Sequence, residues 1–434
     1  MSFHIVIAGD FAGANPERPS KPIAVDRDNL DDVLARVRPA IELPLADGSG
    51  KPLTLRVSAL EDFHPDRLYE RVPVFQAIRD TVLAEREPAR EPGPPAPAAT
   101  ARKPAAGGFL DDILSSTEER YPAAAAPARD EWDEALHRIA TTHAQPKVSA
   151  AQEQREAGAQ KASAMVMRAI LHSPQFQEVE AAWRGLDFVV RRLDTDAEFS
   201  VLLLDVSKSG LAARLAKAID DEWGAVLANF TFGPGEGDLA ALRNIAQAAA
   251  AIQVPVIAAA SPSVLGCESA AELSDPGEWR ELPADVRNAW TALRRSPDAA
   301  WIGLALPRLL MRLPYGADGS SCEEFPFEEM GGGDPLPWSS PVFACAALLG
   351  ESWMKYGEPD AQRELDGMLS YSWREDGMPQ FQPAGEVALT DRVVEAMLDR
   401  GLIPFMSSKH GGEIRVPRFQ SLADPPQALE FPAG

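Results

Sequence analysis

A 23-residue stretch with almost nothing to bury, R-E-P-A-R-E-P-G-P-P-A-P-A-A-T-A-R-K-P-A-A-G-G at 86–108, divides this chain of 434 residues. It holds six prolines. Proline richness makes an extended, semi-rigid spacer that rises ~3.1 Å per residue, roughly 70 Å in all. Folded structure must therefore come from either side of it. Such a tether allows the N-terminal part to pack on its own C-terminal half or on a neighbour's. The expected organisation is a small α/β unit over 1–85, a Pro/Ala-rich linker over 86–130, and a larger α/β domain over 131–434. Length alone suggests two or three domains.

Before the tether, Phe3, Ile5 and Ile7 alternate with other residues, as in a half-buried strand. Leu30, Val33, Leu34 and Val37 recur at helical spacing, with Asp28 or Asn29 as cap and Pro39 as stop. Pro52–Val57 alternates again. A short turn precedes His64-Pro65, and a last helix is expected over Val74–Leu83. Inside the linker, Phe109, Leu110, Ile113 and Leu114 form a short amphipathic patch, read either as a transient helix or as a docking peptide.

Beyond it, Met165, Met167, Ile170 and Leu171 mark one buried helical stripe. Phe176, Val179, Trp183, Leu186 and Val190 mark the next. Phe199–Val206, Val226–Phe232 and Val254–Ala260 read as buried strands. Between them lie a helix after Ser207-Lys208-Ser209-Gly210 and another running to Ile252. Ile302–Leu306, Phe343–Leu349, Asp391–Arg400 and Leu402–Met406 continue the theme as strand, helix, helix and strand. Alternating strands and helices imply an α/β fold whose mixed sheet is covered by helices, with mostly parallel neighbours.

The formal net charge is −23. A surface this acidic repels nucleic acid and anionic lipid, so neither is an expected partner. The start of the chain lacks a basic n-region and a signal-type apolar core, and no run of ~18 apolar residues occurs, which leads to an expectation of a cytoplasmic protein without membrane insertion. Cys267, Cys322 and Cys345 are far apart and read as packed thiols in a reducing compartment.

Motifs for catalysis are missing. There is no G-x-x-x-x-G-K-[S/T] phosphate cradle, no H-E-x-x-H and no G-x-S-x-G. The six histidines are scattered. Gly233-Pro234-Gly235-Glu236-Gly237 reads as a turn. Neighbouring carboxylates are background in so acidic a chain, and Trp279, Trp290 and Trp301 read as scattered packing because Pro283 and Pro297 interrupt them. The expectation is therefore no enzyme, no cofactor and no metal.

Two charged elements look purposeful. Val25, Asp26, Arg27 and Asp28 alternate in charge before a helix, either as simple dipole-favourable capping or as an inter-chain ion-pair site. Arg308 and Arg312 lie four apart among leucines and would share one face of a helix. Their carboxylate partners belong either to this chain or to a neighbour. Phe63 joins these as a candidate interface residue.

Several segments together resemble a known family. K-P-I-A-V-D-R-D-N-L-D-D-V-L at 21–34 and L-E-D-F-H-P-D-R-L-Y at 60–69 resemble the small subunit of the type VI secretion contractile sheath (the TssB, or VipA, family). L-H-S-P-Q-F-Q-E-V-E-A-A-W-R-G-L at 171–186, D-V-S-K-S at 205–209, A-A-A-S-P-S-V-L-G at 258–266 and W-T-A-L-R-R-S-P-D-A-A-W-I-G-L at 290–304 resemble the large subunit (the TssC, VipB or EvpB/ImpD-like family). So do L-P-R-L-L-M-R-L-P-Y-G at 306–316, R-G-L-I-P-F at 400–405 and R-V-P-R-F-Q-S-L at 415–422. The chain ends soon after this last motif, so the resemblance implies a C-terminally shortened large-subunit half fused to a small-subunit half.

The resemblance implies an assembly component of a contractile tube, working by subunit repacking rather than hydrolysis. The implied partners are other sheath subunits or copies of itself, with inner-tube or baseplate proteins beyond them. The alternative it implies is a soluble accessory protein that binds or caps a sheath without polymerising.

Overall fold

The computed structural model describes residues 2–46, 52–84, 150–196, 198–218, 221–317, 319–330, 336–375, 377–408 and 411–432. The tether and the patch at Phe109, Leu110, Ile113 and Leu114 lie outside the described residues.

The chain opens with β1 (Phe3–Gly9), β2 (Ile23–Val25), α1 (Leu30–Val37), β3 (Ala40–Ala46), β4 (Pro52–Arg56), α2 (Pro65–Arg71) and α3 (Pro73–Ala84). From residue 150 follow α4 (Ala150–Leu171), α5 (Pro174–Arg192), β5 (Phe199–Asp205), α6 (Leu211–Leu215) and β6 (Trp223–Phe232). Next come α7 (Glu236–Ile252), β7 (Val256–Ala260), α8 (Ala284–Arg294), β8 (Ile302–Leu306) and β9 (Leu309–Leu310). The remainder holds β10 (Trp338–Ser339), α9 (Val342–Tyr356), β11 (Glu364–Leu365), β12 (Tyr371–Glu375), β13 (Met378–Gln382), α10 (Asp391–Leu398), β14 (Leu402–Pro404), β15 (Met406–Ser407) and β16 (Ile414–Arg415).

Residues 1–76 and 162–434 cluster as one compact unit, and 77–161 as a second. The first unit is built on a seven-stranded sheet in the order β14-β8-β7-β6-β1-β5-β2. All neighbours are parallel except β2, which runs antiparallel to β5 at the edge. The N-terminal strand thus lies between two strands that follow it by about two hundred positions, with Phe3 opposite Phe199 and Gly9 opposite Asp205. On its other side β1 runs beside β6, with Ile5 opposite Ala225 and Ala8 opposite Ala228.

This placement corrects the half-buried reading of Phe3, Ile5 and Ile7. Val6 and Ala8, on the opposite face, are as fully buried as they are. A central parallel strand is covered on both sides, so it reads as a continuous apolar run. One face packs Val6, Ala8 and Leu204 into a core with Leu211, Leu242, Trp290 and Val393, contributed by α6, α7, α8 and α10. On the other face Phe3 stacks on Trp353 of α9, with ring centroids 5.1 Å apart. Gly185 of α5 lets the Phe343 ring of α9 sit directly on its backbone, where any Cβ would collide.

The sequence-read helices and strands appear close to their expected bounds, with local differences. Asn29 precedes α1, but its side chain turns back to accept from the Asp26 N–H at 3.1 Å instead of capping the helix. Arg38, at φ 53°, ends the helix in the left-handed region before Pro39. His64 caps α2, its Nδ1 accepting from the Asp66 N–H at 3.2 Å, with Pro65 at the first helical position. Met165 is 61% exposed and does not belong to the buried stripe, which Met167, Ile170 and Leu171 form. Met167, Ile170 and Leu171 are spaced i, i+3 and i+4 and share one face of α4, whereas Met165, two positions before Met167, falls on the opposite side. Arg308 and Arg312 do not share a helix, because the short strand β9 occupies the leucines between them. Cys267 and Cys345 are buried, and Cys322 is partly so.

Candidate functional site: a buried seam within one sheet

Where β1 ends, Asp205 at the end of β5 collects the chain that leaves it. Its Oδ1 accepts from the backbone N–H groups of Phe11 at 2.8 Å and Ala12 at 3.0 Å. Arg18 Nη1 donates to the same oxygen at 3.1 Å, and Nη2 reaches Asp10 at 2.9 Å. Burial pushes the Asp205 carboxyl up, and Arg18 with the two backbone donors works against that rise. The Trp183 indole N–H donates to the Phe11 carbonyl at 3.0 Å, and the two rings meet edge-on at 5.4 Å. The loop after β1 is therefore held by one carboxylate and one indole from distant sequence.

A second junction lies around Arg312. Its guanidinium donates to both oxygens of Glu329, at 2.7 and 3.0 Å, and to Glu180 at 3.2 Å. Its Nε lies 2.9 Å from the other Glu180 oxygen. Arg184, four residues on along α5, donates from Nε to Glu180 at 2.8 Å and from Nη2 to the Tyr315 hydroxyl at 2.8 Å. The Tyr315 N–H donates to Glu329 at 2.8 Å, and its ring lies under the Arg312 guanidinium at 4.3 Å. Two arginines answer two glutamates, so the cluster is neutral overall and each charge has a partner at bonding distance. That is the condition for keeping charge in a protein interior.

The electrostatics follow from that packing. Burial pushes Glu329 up, but a hydrogen bond from His172 and the Arg312 charge outweigh it and bring its pKa down to about 2. Arg312 and Arg184 are driven up, their glutamates overcoming the cost of burial. Tyr315 rises through burial and the Glu180 charge. Its ring meets His64 edge-on at 4.9 Å. Burial lowers His64; Asp66 opposes this, and Arg184 and Arg312 reinforce it. Beside it, the Phe63 ring packs edge-on against Phe176 of α5 at 5.7 Å.

Of the sequence-derived candidates, Phe63 and Arg312 belong to this seam, each buried within the chain. Arg308 is half exposed and forks onto Glu386, with Nε to Oε2 at 2.8 Å. The carboxylate partners of both arginines therefore belong to this chain. Val25 is buried in edge strand β2, whereas the Arg27 and Asp28 side chains are 62% and 90% exposed and only 3.7 Å apart at their nearest charged atoms. Asp26 accepts from the Asp28 and Asn29 N–H groups at 2.9 and 2.8 Å.

Sequence reasoning passed over Glu180, Glu329 and Asp205. Glu180 sits between Val179 and Trp183 on the apolar stripe of α5, and Asp205 ends an apolar strand. An acid on a buried stripe is a usable signal; nothing in the sequence marks Glu329 among its acidic neighbours. No group of three or more potential ligands for a metal ion occurs among the described residues. No described helix is long and apolar enough to cross a membrane.

These observations define an α/β protein whose mixed sheet is shared between distant segments, with buried ion clusters tying its elements together. The comparisons give that class a family. Residues 159–222 and 220–422 match the family described as EvpB/VC_A0108, tail sheath N-terminal domain. Residues 1–85 match the family described as Type VI secretion system, VipA, VC_A0107 or Hcp2. The chain belongs to the tail sheath family of the type VI secretion system, and it carries the small-subunit resemblance in the same polypeptide. A relative, the type VI secretion system sheath protein TssC1 of Pseudomonas aeruginosa PAO1, is 30% identical over 274 residues, covering 56% of this chain and 55% of the relative. The match thus spans about half the relative's length.

Proposed function

We propose that this chain is a structural assembly component of a type VI secretion contractile sheath. It is a fused small–large subunit variant that contributes to contraction-driven protein secretion from the cytoplasm, and it is not an enzyme. One observation carries the reading: β1, from the segment that matches the VipA family, lies between β5 and β6, from the segment that matches the tail sheath family. One chain thereby supplies a sheet that two subunits would otherwise build together. Repacking of such rigid bodies against one another needs no nucleotide site.

The contacts to other sheath subunits, or to copies of itself, fall at the β2 edge. An edge strand offers unpaired backbone groups to an incoming strand, and Asp26, Arg27 and Asp28 beside Val25 set the charge pattern there. Exposed Arg308 is a second contact, and the patch at 109–114 a third. Inner-tube and baseplate proteins are the more distant partners.

Negative-stain microscopy of the purified full chain, alone and mixed with an inner-tube protein, tests this. Tubes or rings support the sheath role. A strictly monomeric particle in both samples rejects it in favour of an accessory protein that binds a sheath without polymerising.

A further inference from the structure

At the other side of the sheet, the start of β14, α8 and the loop before α8 enclose a cleft of about 320 Å³. Four arginines line it: Arg280, Arg287, Arg294 and Arg400. In a chain with 65 acidic and 42 basic residues, such a cluster runs against the overall charge. The outer two have carboxylates of their own: Arg280 pairs with Glu268, and Arg287 with Glu281 at 2.8 Å. The inner two make no ion pair at bonding distance among the described residues, although the Asp424 charge acts on Arg294. Arg294 donates to the backbone carbonyls of Leu422 at 2.9 Å and Ala423 at 3.3 Å. Arg400 donates to the Ala396 carbonyl at 2.8 Å and stands over the Trp279 ring at 5.0 Å. Carbonyls fix these guanidinium groups in place without neutralising them.

The floor of the cleft is aromatic. Trp290 is 8% exposed, and Trp279 is partly buried with its indole N–H lacking an acceptor among the described residues. Tryptophan and arginine together are the residue types that concentrate binding energy at protein interfaces. The volume is at the small end for ligand pockets, enough for a few side chains of a docking segment.

We propose that this arginine–tryptophan cleft docks a carboxylate-bearing surface segment of a second copy of this chain. The inference rests on the assembly reading above but concerns a face separate from the β2 edge. Charge complementarity selects the occupant. Four arginines against the one lining acid, Glu281, leave the cleft net positive, and a copy of net charge −23 offers exposed acids such as Asp31 and Asp32 in the first turn of α1. A contact between two different surfaces is heterologous, so it propagates into rings or filaments rather than stopping at a dimer.

Sedimentation velocity of the full chain tests this at about 0.1 M and about 1 M salt, where the screening length falls from roughly 10 to 3 Å. The wild-type protein is expected to self-associate with rising concentration at the lower salt and to dissociate at the higher. Arg400→Glu and Arg287→Glu are each expected to weaken association about tenfold or more, with thermal melting curves retained. Arg287→Glu guards against a fold defect, since its side chain is half exposed. Association that both variants leave unchanged overturns the cleft while sparing the assembly reading. Absence of any association overturns both. Binding of a small dicarboxylate alone, with no self-association, also rejects the second copy as occupant.

Discussion

Arg312 holds Glu329 through two guanidinium nitrogens, at 2.7 and 3.0 Å, in an interior that leaves neither side chain more than 7% exposed. Between them they tie the 306–316 segment to the loop before residue 330, and Glu180 adds α5 to the same point. Removing the cation leaves two buried carboxylates facing each other. Arg312→Met is expected to cost about 3–5 kcal/mol, because an uncompensated buried charge is far worse than no pair at all. Arg312→Lys keeps the charge but cannot fork, and should fall between it and wild type. Urea denaturation midpoints measure both.

Acid should loosen the same junction in two stages. His64 is depressed below its ordinary 6.5, so the folded state binds its proton less readily than the unfolded chain, and the His64 contribution is lost as pH falls below about that value. Glu329 is depressed from 4.5 to about 2, so its contribution is complete above 4.5 and is lost as pH falls toward 2. Asp205, raised by burial, acts in the opposite sense and partly offsets the second stage. Melting temperature measured from pH 7 down to about 3 should fall in two steps, and His64→Gln should remove the first.

Asp205→Ala strips the acceptor from the Phe11 and Ala12 N–H groups and the partner from Arg18. A loss of about 1–3 kcal/mol is expected from the two stranded donors. Asp205→Asn retains an acceptor oxygen and should cost less. Amide hydrogen exchange at Phe11 and Ala12 reports the difference directly, with faster exchange in the alanine variant.

Gly224, at the start of β6, lets the Phe3 ring rest on its backbone, where an added Cβ would collide with the ring. Gly224→Ala is expected to destabilise by about 1–3 kcal/mol through overpacking. Phe3→Leu in the same chain should recover part of that loss, which a double-mutant cycle in urea would read as coupling.

Much of the local structure was legible in the sequence. The stripe Phe176, Val179, Trp183, Leu186 and Val190 gave α5, and the short apolar runs gave β5, β6, β7 and β8, because amphipathic spacing and strand length are properties of neighbouring residues. Glu180 and Asp205 were within reach, since each is an acid on an otherwise buried element. Glu329 was not, because its role depends on Arg312, His172 and the Tyr315 N–H, none of which is near it in sequence.

The sequence alone determined the lineage, the α/β class and the positions of most helices and strands. Only the tertiary structure decided that β1 is a central strand buried on both faces rather than a half-buried one, and that Arg312 is an interior residue while Arg308 is not. Strand neighbours and buried ion clusters join residues some 130 to 200 positions apart. Local periodicity is silent on which distant segments meet; the burial of two sheet faces and the pairing of charge inside them are what select the arrangement.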